Sequence, residues 1–159
     1  MKIIAVVGTG SGCGKTTVAC RILRTIPGLG AVKISPREGA GRVEWGAGEP
    51  GKDTDIYSGS GAVRVARIIG PRDTVVPTWD LIKSQFEGCE GVVIEGASAL
   101  HIPGERFVVF VLGDTQEELR EERNRAIAIK SAIIIERSSH LCFEPLVNDI
   151  RTFLAGSSS

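Results

Sequence analysis

The run "IIAVVGTGSGCGKTTVA", residues 3–19, constrains the fold more than any other part of the chain. Lys2 to Val7 is a short apolar stretch, as expected of a buried parallel strand. It ends at a loop with glycines at positions 8, 10, 12 and 14. A helix is then predicted from Lys15 to Ile26, with Val18, Ala19, Ile22 and Leu23 at helical spacing and Pro27-Gly28 ending it. Strand, glycine loop and helix in this order are the setting of a phosphate-binding loop. The strict pattern G-x-x-x-x-G-K-[ST] is met at its end by Gly14-Lys15-Thr16. Its opening position is Thr9, and Gly8 stands one residue early.

The chemistry needs mainly "GCGKTT". Glycines let backbone N–H groups converge on phosphate oxygens. Lys15 supplies a point charge to the outer phosphates, Thr16 a hydroxyl for Mg²⁺, and the helix start favours an anion. Gly10, Ser11, Gly12, Cys13, Gly14, Lys15, Thr16 and Thr17 are therefore the candidate nucleotide-binding residues. Other glycines of the loop can wrap phosphate without the usual first one.

Downstream, "LGAVKIS" reads as a second strand. Residues 35–53 are rich in glycine and read as either a surface loop or a substrate-facing flap, with "RVEW" as a short strand within it. "DTDIYSGSGA" starts like a helix that stops at Gly59 or Gly61. "VRVARIIGPRDTVV" is read as strand, turn and strand, with a helix through Val63 to Ile69 as the competing reading. "TWDLIKSQFEG" is predicted to be a short amphipathic helix. "GVVIEGA" and "RFVVFVLGD" are further buried strands, separated by a loop with His101 and Pro103. "TQEELREERNRAIAIKS", "AIIIER" and "FEPLVNDIRTFLAG" complete the alternation as helix, strand and helix. The expected fold is α/β: one domain, residues 1–155, with a mostly parallel sheet flanked by helices, and a frayed tail at 156–159.

Composition narrows the function classes. With 159 residues the chain can bury one sizeable core. Lys+Arg and Asp+Glu balance at 19 each, which argues against a nucleic-acid partner. No apolar run is long enough to span a membrane, and the opening residues do not read as a signal peptide. A cytoplasmic protein is the expectation. The four cysteines form no C-x-x-C pair and there are only two histidines, so a zinc site is not expected.

Four further positions carry chemistry. Glu95 closes an apolar strand, where a carboxylate points into the ligand crevice of an open α/β sheet and can hold Mg²⁺ or its water. Asp53 and Asp55 head the helix in "GKDTDIY". Either can serve only as a helix cap, but Asp55 with Thr16 and Glu95 would make a complete Mg²⁺ set. Lys33 ends the second strand. It can neutralise charge on a transferring phosphoryl group or an anionic substrate, or simply lay its stem over the sheet.

The loop "GTGSGCGKTT" resembles those of dethiobiotin synthetase and the cobyrinic acid a,c-diamide synthases, which also place a threonine after the first glycine. "AVKIS", "GKDTDIYSGSGA" and "VVIEGA" resemble, in that order, the P-loop NTPase known as molybdopterin-guanine dinucleotide biosynthesis protein B. This chain has "KISPRE" where that family commonly has histidines after the lysine. The likeness covers Met1 to Ala97. It implies a homodimer that binds ATP or GTP with Mg²⁺ and, as a slow NTPase with a cofactor-biosynthesis protein partner, assists attachment of a nucleotide to molybdopterin. The dethiobiotin synthetase likeness implies instead a small-molecule kinase or ATP-dependent ligase. In it Lys15 and Lys33 are catalytic, on phosphate or substrate, and Thr16, Asp55 and Glu95 surround Mg²⁺. A nucleotide-binding regulatory module with little turnover is the third reading.

Overall fold

Strand β1 (Lys2–Gly8) is buried on both faces, which is why its sequence is a continuous apolar run. Ile4 and Val6 face one layer of the core, while Ile3, Ala5 and Val7 face the other. The remaining strands are β2 (Leu29–Pro36), β3 (Arg42–Trp45), β4 (Val65–Gly70), β5 (Gly91–Glu95), β6 (Glu105–Leu112) and β7 (Ala132–Glu136). In this computed structural model they form one seven-stranded sheet of order β3-β4-β2-β5-β1-β6-β7. All neighbouring pairs are parallel except β3 with β4, which makes β3 an antiparallel edge. The structure describes residues 1–46, 48, 50–113, 132–136 and 143–156.

Helices α1 (Lys15–Thr25), α2 (Asp53–Gly59), α3 (Val75–Ile82) and α4 (Phe143–Ala155) flank the sheet. Val18, Ala19, Ile22 and Leu23 of α1 and Leu146, Val147 and Ile150 of α4 join Ile4, Val6, Ala31, Val93 and Val109 in one core layer. Val75, Trp79 and Ile82 of α3 cover the opposite face against Val32, Ile34, Ala66 and Ile68. Lys2 Nζ donates to the Phe153 and Leu154 carbonyls at 2.9 and 2.7 Å, tying the end of α4 to the start of β1. Among the described residues, no helix is long and apolar enough to cross a membrane.

The expected α/β sheet is present, and "RVEW" is its edge strand. One element differs. "VRVARIIGPRDTVV" gives a single strand, β4, followed by a 3₁₀ turn at Arg72–Thr74, and Val75 begins helix α3 rather than a second strand. Val75, Trp79 and Ile82 lie at helical spacing and are all buried, so the apolar face of the helix outweighs the strand preference of its β-branched start. Pro77 falls in the first turn, where no intrahelical N–H is needed. A 3₁₀ turn at Ala97–His101 occupies the loop of His101, which is exposed. The predicted helix in "TQEELREERNRAIAIKS" and the tail "SSS" lie outside the described residues.

Candidate phosphate-binding and metal site

The early glycine has a steric cause. A Cβ on Gly8 would stand 2.5 Å from the Val111 carbonyl oxygen and 2.7 Å from Cys13 Sγ, so the end of β1 passes β6 too closely for any side chain. Thr9, at the position the strict motif gives to glycine, ties the loop down instead. Its N–H donates to Val111 O at 3.2 Å, and its Oγ1 accepts from Gly113 N–H at 3.1 Å. A Cβ on Gly10 would meet nothing within 4 Å. Gly12 and Gly14 take positive φ of 79° and 101°, the region that favours glycine. Gly14 caps α1, and its carbonyl accepts the Val18 N–H at 3.1 Å. Gly8→Ala is expected to lower stability by roughly 1–3 kcal/mol, the usual range for overpacking, read as a lower urea midpoint at unchanged slope.

Lys15 folds back over this loop. Its ammonium donates to the Gly10 carbonyl and lies 3.3 Å from Cys13 Sγ. Residues 8–17 line a cleft of about 880 Å³, together with Lys33, Asp53, Glu95 and Arg72. Its size suits a nucleotide-sized ligand. Arg72 comes from the "GPRD" segment, which reads from sequence only as a turn.

At the head of α1 four polar side chains converge. Thr16 Oγ1 lies 3.0 Å from Glu95 Oε2 and 3.3 Å from Asp53 Oδ1. Lys33 Nζ donates to Glu95 Oε1 and lies 3.0 Å from Asp53 Oδ2. Glu95 is 1 % exposed, and Gly96 after it has no room for a Cβ, which would come within 3.0 Å of the Ile34 Cβ. The predicted Thr16, Lys33 and Glu95 are thus brought together. Asp55 is not. Its Oδ2 turns back to accept the Gly51 N–H at 2.8 Å, as a carboxylate at a helix start does, and Asp53 takes the place by Thr16. The helix decides this: two residues along α2 rotate a side chain by about 200°.

Among curated proteins, this chain is similar to one dethiobiotin synthetase. The ATP-dependent dethiobiotin synthetase BioD of Anaeromyxobacter dehalogenans (strain 2CP-C) is 32 % identical over 123 residues, covering 65 % of this chain and 53 % of the relative. The chain therefore spans about half the length of that relative. No family model and no solved structure matches.

Tyr57 is the site residue that sequence reasoning missed. It is 1 % exposed, and its hydroxyl donates to Glu95 Oε2. The signal was there in outline, since Asp53 and Tyr57 are four residues apart and share one face of α2. Burial, and then the Glu95 charge and hydrogen bond, push the phenol far above its usual range. For Lys33, burial alone pulls the ammonium down, but the Glu95 and Asp53 carboxylates outweigh it and the net direction is up. Lys33 is therefore charged at neutral pH and suited to neutralise an anion rather than to accept a proton.

Both folded-state values lie above the unfolded ones. The stabilisation they give is complete below about pH 10 and is lost as pH rises through the alkaline range. Burial also raises the Cys20 and Cys89 thiols, so urea midpoints are expected to begin falling at about pH 9 and to fall further above about pH 10. Tyr57→Phe is expected to flatten that fall and to cost about 1–3 kcal/mol at neutral pH, because Glu95 loses a buried donor. Equal alkaline slopes for the two proteins would separate Tyr57 from the effect.

Proposed function

We propose that this chain binds a nucleoside triphosphate, ATP foremost, on the 8–17 loop and transfers its γ-phosphoryl group to a small acceptor beside Lys33. The observation that carries this reading is the cluster of Thr16, Asp53, Glu95 and Lys33 at the mouth of the glycine loop. The similarity to an ATP-dependent dethiobiotin synthetase supports it.

The donor set fits Mg²⁺. A hydroxyl and two carboxylates are hard oxygen donors, and Thr16 Oγ1 is within 3.3 Å of both acids. Thr16, Asp53 and Glu95 would hold the ion, which when bound supplies charge neutralisation to the phosphates. The loop N–H groups and Lys15 grip the phosphate oxygens. Tyr57 fixes the Glu95 carboxylate from beneath. Lys33 faces the acceptor with a positive charge. An acceptor oxygen forms its bond to the γ-phosphorus as the bridging P–O bond breaks and ADP leaves. With a carboxylate acceptor no proton has to move. Phosphorus NMR of ATP and Mg²⁺ with the protein tests this. Slow phosphate release alone is expected, with ADP formed stoichiometrically once a small carboxylic acid acceptor is present. No measurable binding of a non-hydrolysable ATP analogue would overturn the reading.

A second reading stays with the molybdopterin-guanine dinucleotide likeness: a homodimer that takes GTP and assists a cofactor-assembly partner. What favours it is that the three segments carrying that likeness supply Lys33, Asp53, Tyr57 and Glu95 to one site. Preference for GTP over ATP, and hydrolysis raised by a partner protein rather than by a small acid, would select it.

A further inference from the structure

On the sheet face that carries α1 and α2, one row of charged side chains crosses four strands. The register pairs Glu95 of β5 with Lys33 of β2, Lys33 with Arg67 of β4, and Arg67 with Glu44 of β3. Paired positions on neighbouring strands share a face, so the row runs about 14 Å, three strand spacings. Two residues earlier on the same strands, Val93, Ala31 and Val65 belong to the apolar core. The charges thus begin where the core ends, at the carboxyl edge of the sheet.

The phosphoryl-transfer reading uses only the first half of this row. Arg67 belongs to the second. Its side chain is 25 % exposed, and Ser35 Oγ accepts from its Nε at 3.0 Å. Glu44, the facing carboxylate, lies 3.7 Å from Nη1, beyond hydrogen-bond length, and is shared with Arg42 at 3.6 Å. Ser35 thus fixes one edge of the guanidinium fork, and the other opens into a cavity of about 660 Å³. Among the described residues, Arg37, Arg42 and Arg67 line it together with the carboxylates of Glu38 and Glu44. A small pocket bounded by Asp53, Thr54 and Arg67 lies beside both, sharing Thr54 and Arg67 with this cavity and Asp53 with the phosphate cleft.

We propose that the Arg67 cavity is a second anion subsite, holding a carboxylate or phosphate group of the acceptor while its reacting oxygen stands by Lys33. This rests on the phosphoryl-transfer reading of the adjoining site. A guanidinium fork suits either anion through paired N–H donors. One strand spacing separates Lys33 from Arg67, so the acceptor would carry its anionic group about 5 Å or more from the reacting oxygen.

The experiment saturates the protein with a non-hydrolysable ATP analogue and Mg²⁺, which fills the phosphate loop, and then titrates inorganic phosphate or glutarate by calorimetry. One additional anion is expected to bind, and Arg67→Gln is expected to weaken it by roughly tenfold or more. The Arg67 Nε–H resonance of the unsubstituted protein is expected to shift with the same titration, a readout that needs no variant. Saturation by phosphate alone assigns a phosphate group, and saturation by glutarate alone a carboxylate. Saturation by neither, an unshifted Arg67 resonance, or equal affinity in Arg67→Gln overturns the subsite. Failure of the ATP analogue to bind overturns the phosphoryl-transfer reading instead, and is seen before any anion is added.

Discussion

Lys15→Ala is expected to abolish measurable nucleotide affinity, a loss of about 100-fold or more, while leaving the fold intact. Among the described residues, the Lys15 ammonium donates to the Gly10 carbonyl and lies 3.3 Å from Cys13 Sγ, both within its own loop. Cys13 keeps its place in the core through its own burial, so the urea midpoint should stay within about 0.5 kcal/mol of the unsubstituted protein. The point charge is what a polyphosphate loses. Lys15→Arg keeps the charge but enlarges the head group inside a tight glycine loop, and should recover little affinity. Calorimetry with a non-hydrolysable ATP analogue and Mg²⁺ reads both variants. Unchanged affinity in Lys15→Ala would remove the phosphate-loop assignment.

The parts of the fold that were legible owe this to strong periodicity. β1 is apolar throughout because both its faces are buried, and α1 shows its buried stripe at Val18, Ala19, Ile22 and Leu23. The segment after β4 was not legible for a local reason. Thr74-Val75-Val76 looks like a second strand after the Gly-Pro-Arg-Asp turn, and the helix is visible only through Trp79 and Ile82, which need the sheet face beneath them to matter. The site divides the same way. Residues adjacent in sequence, "GCGKTT", declare their chemistry by spacing. Lys33 and Glu95 are legible singly, as charges at strand ends, but not as a pair, because residues that meet through register show no common spacing. Lys33 and Glu95 stand side by side because β2 and β5 pair in parallel, and Arg67 follows only from the pairing of β2 with β4. "VARIIG" on its own gives that arginine no neighbour.

The choice between Asp53 and Asp55 leads to the other large expected effect. The two carboxylates share one short helix, and its rotation alone aims the first at Thr16 and the second back at Gly51. Asp53→Asn and Glu95→Gln are each expected to cut turnover on the order of 100-fold and to raise the Mg²⁺ concentration needed for half-maximal rate. Nucleotide affinity should change far less, because the glycine loop and Lys15 remain. Both changes also relieve Lys33 of a carboxylate, so its charge is freed toward the phosphates and offsets part of the neutralisation that Mg²⁺ no longer supplies. The double variant should therefore cost less than the sum, as residues acting on one ion do. Asp55→Asn keeps an acceptor for the Gly51 N–H and should show ordinary turnover and an ordinary Mg²⁺ profile. The measurement is rate against Mg²⁺ concentration for the four variants and the unsubstituted protein. A normal profile in Asp53→Asn with a displaced one in Asp55→Asn would mean that α2 turns when nucleotide binds, and that the carboxylate facing Thr16 is exchanged for the other.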